Sequence, residues 1–132
     1  MAENQELVFS VAIIRRGADL VIVRPLSQGE RAKWAFPAGP VEADEAPEVA
    51  CRRVCQEKLG VTVHIDFGQP PLQGGVDDQK VIYRYHFCHI PEGDIRNLGF
   101  ADARWIRIGD LLEYEFDPTT QMVVDWLLKK EE

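Results

Sequence analysis

Residues Trp34 to Val61 read WAFPAGPVEADEAPEVACRRVCQEKLGV. The stretch opens with a short apolar segment, Trp34 to Val41, punctuated by Pro37, Gly39 and Pro40. It then turns helical from Ala46 to Leu59. Pro47 suits the first helical turn, because its missing N–H would have had no partner there. Gly60 suits a left-handed C-terminal stop. Ala46 makes a poor N-cap, since it has no side-chain oxygen for the free amides. Cys51 and Cys55 are four apart, hence on one helical face.

Working outward, Leu7 to Arg15 and Leu20 to Arg24 are rich in Val and Ile, and Gly17-Ala18-Asp19 turns between them, so the pair reads as a hairpin. Ser27 to Lys33 is a polar loop. After the helix, Val61 to Phe67 reads as a strand and Gly68 to Asp78 as a loop, with Pro70-Pro71 and Gly74-Gly75 inside it. Lys80 to Ile90 alternates: Val81, Tyr83, Tyr85 and Phe87 point one way, Ile82, Arg84, His86 and Cys88 the other. Ala103 to Ile108 is a further strand, and Asp110 to Tyr114 a short helix. Asp117-Pro118 is an N-cap followed by the favoured first helical residue. The helix it starts runs to about Lys129, with Met122, Val123, Trp126 and Leu127 as its expected apolar stripe. Strands mixed with two substantial helices predict an α/β fold: a mixed sheet covered by helices on both faces.

The chain has 132 residues, 45% hydrophobic and 28% charged, with a net charge of −7. That is the composition of one globular domain spanning residues 1–132. The acidic balance argues against a partner that is a nucleic-acid polymer or an anionic membrane, although a small phosphorylated ligand needs only a local basic patch. No run is long enough to span a bilayer, and Met1 to Glu6 lacks the basic flank and apolar core of a signal peptide. Cys51, Cys55 and Cys88 are an odd number with no second pair to complete a zinc site, which fits reduced thiols and a cytoplasmic location. Arg15, Arg16, Arg24, Arg31 and Lys33 form a basic cluster in an acidic chain. Arg31 and Lys33, just before Trp34, are candidates to face a ligand's phosphates, or they are solvated loop residues.

The segment from Trp34 to Val61 resembles the Nudix box with its usual lead-in. The family pattern is G-x5-E-x7-R-E-U-x-E-E-x-G-U, where U is bulky and apolar. Gly39, Glu45, Arg53, Glu57, Gly60 and Val61 fall in place, Cys55 fills the apolar position loosely, and Trp34, Phe36 and Pro37 match the approach to the box. The element order is similar to the Nudix α/β/α sandwich from about Leu7 to Leu128. The resemblance implies hydrolysis of a nucleoside diphosphate linked to another moiety. It also implies Mg²⁺ or Mn²⁺ held by carboxylates on one face of the box helix, and proteins that are often homodimers. It further implies that Glu45 and Arg53 pair to brace the loop against the helix, with Glu57 as the metal ligand.

Two of the three helix carboxylates of that pattern are missing. Their positions hold Val54, Glu57 and Lys58, so a local charge of −3 becomes 0 − 1 + 1 = 0. Val54 has no ligand atom, and protonated Lys58 repels a cation. Ala38 precedes Gly39 where the family usually has glycine, which would impair the turn if position 38 needs a positive φ. Two expectations follow. In one, the protein remains a diphosphatase of weak activity, with the metal shell completed by Glu42, Asp44, Glu45, Glu48 or Asp102, the last from the loop before the Trp105 strand. In the other, catalysis is lost and the domain binds a nucleotide or a protein partner, with Lys58 contacting phosphate as a point charge. Tyr83, Tyr85 and Phe87 either stack a base or form core. The bland reading of Asp102 and Lys58 is that each is an ordinary solvated residue. His86 and His89, three apart on a strand, point to opposite faces and do not suit joint metal binding.

Overall fold

A computed structural model describes residues 6–26, 33–68, 72–76 and 79–130. The chain forms β1 (Glu6–Arg16), β2 (Asp19–Arg24), β3 (Ala38–Pro40), α1 (Pro47–Leu59), β4 (His64–Gly68), β5 (Leu72–Val76), β6 (Gln79–His89), β7 (Asp102–Arg107), a 3-10 helix (Ile108–Glu113) and α2 (Pro118–Lys130). The seven strands make one sheet in the order β4-β6-β1-β2-β7, with β3 also paired to β1 and β5 to β6. Leu7 to Ile14 run parallel to Val81 to Cys88, while the other pairings are antiparallel. The sheet is therefore mixed, as expected.

The hairpin between β1 and β2 is real but brief. Only Arg15↔Leu20 and Arg16↔Asp19 pair; deeper in, β1 turns to β3 and β6. β7, not β1, pairs along the whole of β2, from Asp19↔Arg107 to Arg24↔Asp102. Two expectations at the sheet edge are corrected. Val61 to Val63 precede the strand, which begins at His64, although Val61 and Val63 are buried. The segment read as a loop, Gly68 to Asp78, contains β5, whose backbone pairs with the start of β6. The glycine and proline pairs there outweighed a ladder that only the long partner strand supplies.

α1 and α2 cover opposite faces. On one side, Val11, Ile13, Leu20, Ile22, Tyr85 and Ile106 pack with Val123, Val124 and Leu127 of α2. On the other, Ala12, Ile14, Val21, Val23 and Cys88 pack with Cys51, Cys55 and Leu59 of α1. The alternation within β1, β2 and β6 thus divides their side chains between two helices, which is why β1 and β2 read as nearly continuous apolar runs. Leu59 is fully buried, a transfer worth about 2 kcal/mol.

The helix ends follow the sequence. Ala46 makes no side-chain cap, and Gly60 closes α1 at φ 67° with its N–H on the carbonyl of Gln56. Asp117 caps α2, accepting from Thr120 N at 2.9 Å and from the Thr120 hydroxyl at 2.8 Å. The stripe of α2 is rotated from expectation: Thr120, Val123, Val124 and Leu127 are buried, whereas Met122 and Trp126 are 60% and 37% exposed. Val124 and Thr120, a four-residue step apart, take the inner face, and Trp126 keeps its ring at the edge against Phe87, centroids 6.0 Å apart. No helix among the described residues is long and apolar enough to cross a membrane.

Candidate functional site

The site is assembled where β3 hands over to α1. β3 pairs with β1 through Ser10↔Gly39 and Val11↔Ala38. After Pro40 the chain turns at Glu42–Glu45, with Asp44 at φ 64°, a conformation that a short polar side chain tolerates. Ala38 sits in ordinary extended backbone, so the feared need for a positive φ there does not arise; among the described residues Asp44 is the non-glycine residue that carries one.

Arg53, one and a half turns into α1, reaches back over this turn. Its Nε donates to Glu45 Oε2 at 2.9 Å, and its Nη2 donates to Glu45 Oε1 at 3.1 Å and to the Pro40 carbonyl at 2.9 Å. The forked pair fixes plane and distance together. Nη1 donates to Glu57 Oε1 at 3.4 Å and lies 3.9 Å from Glu42 Oε2. Glu45 Oε1 also accepts from Glu42 N at 3.0 Å. These donors hold the Glu45 carboxyl below the usual glutamate value, the Arg53 hydrogen bond first. Glu45 in turn raises the Arg53 guanidinium above its ordinary range. The bracing of loop against helix, implied for Glu45 and Arg53 by resemblance, is visible atom by atom. The same guanidinium also gathers Glu42 and Glu57.

Val54 and Lys58 each pack against other residues. Val54 is 3% exposed and closes on Gly39, where an added Cβ would fall 2.5 Å from Val54 Cγ2. Lys58 lays its stem along Gly99 and sets Nζ 5.7 Å from the centre of the Phe100 ring. Its carbonyl accepts from Leu98 N at 2.8 Å. Lys58 therefore straps the 98–100 segment to α1.

Asp102 is the first residue of β7, not a loop residue. It shares the α2-side face with Arg104 and Ile106, whereas α1 covers the other face. Arg104 Nη2 donates to its Oδ2 at 2.7 Å, and Arg24 Nη2 lies 4.0 Å from the same oxygen. Its charge is thus engaged by guanidinium groups, in a cluster apart from Arg53. Around it, the Arg24 and Arg104 guanidinium carbons sit 5.3 Å and 4.9 Å from the Trp34 ring centre. Tyr114 meets Trp34 edge-on at 5.4 Å, and its neighbourhood, with that of Asp102, raises the Arg104 pKa. Arg24 Nε is buried without a hydrogen-bond partner among the described residues. Arg104 and Tyr114 were missed in the sequence. The alternation of β7 places Asp102 and Arg104 on one face, but only the register with β2 aligns them with Arg24.

Tyr85 is 4% exposed in the core on the α2 side, and burial raises its phenol. Lys33 lies 3.6 Å from Glu115. Arg31 lies outside the described residues.

A box turn braced by an Arg–Glu fork, set on a mixed sheet between two helices, defines a Nudix domain. Residues 5–127 match the family model for the NUDIX domain, and the chain belongs to that family. It is 30% identical over 117 residues to nudix hydrolase 1 of Caenorhabditis elegans, an alignment covering 83% of this chain and 31% of the relative. The chain thus spans about a third of that relative's length. The fold is similar to the Escherichia coli ORF135 protein, with TM-score 0.80, 22% identity, and 98% and 93% of the two chains covered. It is also similar to the MutT NUDIX hydrolase of Burkholderia pseudomallei, with TM-score 0.79, 20% identity, and 92% and 97% covered.

Nudix hydrolases generally use a divalent metal. In this chain two of the three box-helix positions carry no cation ligand, Val54 and Lys58. A hard cation wants several oxygen ligands at one point. Here an apolar side chain and an ammonium replace two of the helix ligands, and Arg53 engages Glu42, Glu45 and Glu57. Among the described residues no group of three or more His, Cys, Asp or Glu is arranged to hold a metal ion.

Proposed function

We propose that this domain binds a nucleoside diphosphate derivative and hydrolyses it weakly or not at all in the usual Mg²⁺- or Mn²⁺-dependent manner. The observation that carries the reading is the Arg53 guanidinium, which lies within 4 Å of carboxylate oxygens from Glu42, Glu45 and Glu57. An internal cation occupies the attention of the acids that a metal would need. The ligand class comes from the family. It is supported by the cluster of Trp34, Arg24 and Arg104, which offers an aromatic ring beside two guanidinium groups, one with a buried nitrogen that has no partner among the described residues. Guanidinium forks suit phosphate, and the ring suits a planar base.

The test is a panel of nucleotides and dinucleotide diphosphates, read by calorimetry and by phosphate release with Mg²⁺, with Mn²⁺ and in excess EDTA. Binding that persists in EDTA with little release is expected. Robust Mg²⁺-dependent turnover abolished by Glu57→Gln would overturn the reading, and would leave Glu57 as a working metal ligand.

A further inference from the structure

Three thiols meet between α1 and the sheet, and nothing in the ligand reading uses them. Cys51 and Cys55 come from α1 and Cys88 from β6; all three are free and buried. The sulfurs of Cys51 and Cys88 are 3.8 Å apart. The surroundings are not uniformly apolar. Ser10, 1% exposed, and His86, 3% exposed, lie on the same side. The Ser10 hydroxyl donates to the Pro47 carbonyl at 2.7 Å, and His86 Nε2 is buried with no hydrogen-bond partner among the described residues. The neighbouring Cys55 and Cys88 thiols, with a smaller electrostatic pull from His86, hold Cys51 well below the usual thiol range, while the contact with Cys51 and burial push theirs up. Desolvation opposes this, but the Cys88 thiol donates to the His86 carbonyl at 3.4 Å, which engages its proton and leaves Cys51 as the sulfur that attacks first.

We propose that Cys51 and Cys88 form a peroxide-sensitive pair that closes into a disulfide between α1 and β6. Cys51 gives up its proton and its sulfur attacks one oxygen of hydrogen peroxide. The O–O bond breaks, the departing hydroxide takes the proton as water, and Cys51 becomes a sulfenic acid. The Cys88 sulfur then attacks the Cys51 sulfur. The S–S bond forms, the S–O bond breaks, and the hydroxyl leaves with the Cys88 proton as a second water. Two thiols are oxidised and one peroxide is reduced to two waters.

Geometry selects the pair and the oxidant. Closing from 3.8 Å to the bonded ~2.05 Å needs each sulfur to move about 0.9 Å. Cys51 and Cys55 share one helix face and would have to distort its turn. At 1% and 2% exposure the sulfurs exclude a bulky disulfide such as oxidised glutathione. A small uncharged peroxide passes through local opening, and His86 Nε2, without a partner among the described residues, can hydrogen-bond to it. The link would tie the helix that carries Arg53 and Glu57 to the centre of the sheet.

The experiment treats the whole protein with hydrogen peroxide, with Met122 sulfoxide as the gauge of dose, since Met122 is 60% exposed. Thiols are then counted in denaturant and the peptides mapped by mass spectrometry. The expected result is a fall from three free thiols to one, a 51–88 cross-link, a higher Tm that dithiothreitol reverses, and three free thiols after oxidised glutathione. Cys55→Ser retains the cross-link, and Cys88→Ser stops at a Cys51 sulfenic acid trapped by dimedone. Three free thiols once Met122 is oxidised would overturn the proposal, as would a 51–55 link. The wild-type map decides it even where a cysteine variant fails to fold.

Discussion

The β-carbon that alanine would add at position 39 falls 2.5 Å from Cγ2 of Val54, so the glycine of the box turn and the valine of α1 are fitted to one another. Val54 is 3% exposed and cannot retreat without moving the helix. Gly39→Ala should therefore destabilise by about 2 kcal/mol through overpacking. Val54→Ala removes the obstructing methyl groups but opens a cavity, with a cost of similar size. The double variant should lose clearly less than the sum, because one change relieves the clash that the other makes. Denaturant midpoints of the four proteins measure the coupling; simple additivity would mean that the two residues do not touch.

Restoring the box tests whether metal binding depends on positions 54 and 58. Val54→Glu alone places a carboxylate in a buried position with no partner and should cost about 3 kcal/mol. Adding Lys58→Glu gathers two new acids near Glu57, and a divalent cation then relieves their repulsion. The double variant should gain ~3–6 °C in Tm with millimolar Mg²⁺ or Mn²⁺, while the wild type should scarcely move. Equal shifts in both proteins would mean that the native residues already hold the ion.

Glu45 supplies a pH signature. Its carboxyl is held below the ordinary value of 4.5, chiefly by the Arg53 hydrogen bond. A depressed acid stabilises the fold above its unfolded pKa, and that contribution is lost as pH falls through the lower folded value. Arg53 is raised, stays charged throughout and adds no titration of its own. Wild type should accordingly exceed Glu45→Gln in Tm at neutral pH, and the gap should close as pH drops below about 4. Thermal melts at a series of pH values check this. A gap that persisted at pH 2 would place the role of Glu45 in packing rather than charge.

Much of this was legible in the chain. Gly60 announced the end of α1 and Asp117 the start of α2, because caps are local chemistry. The pairing of Glu45 with Arg53 followed from matched positions in a motif, and both helices fell where the periodicity put them. What escaped depended on distant partners. β5 was hidden among glycines and prolines because its strand character is lent by β6. Asp102 read as a loop acid because nothing local says that Arg24 lies opposite. The rotation of α2 that buries Val124 and leaves Met122 exposed was set by the sheet beneath it, and the composition of the helix alone allowed either face.

Asp102 separates two roles with one change. If it were a metal ligand or the base of a hydrolytic step, Asp102→Asn would weaken metal-dependent activity. The structure instead gives its carboxylate to Arg104 at 2.7 Å and to Arg24 at 4.0 Å. Removing that charge leaves two guanidinium groups beside Trp34 without their anion, so a phosphate ligand no longer competes with an internal carboxylate. Asp102→Asn should bind nucleoside diphosphates a few-fold more tightly in excess EDTA, and the gain should shrink as salt rises, since an exposed pairing of this kind is screened. Calorimetry at low and high ionic strength measures both. Weaker binding at low salt would mean that Asp102 acts by holding Arg24 and Arg104 in place, and lost Mg²⁺-dependent turnover would return it to the catalytic set.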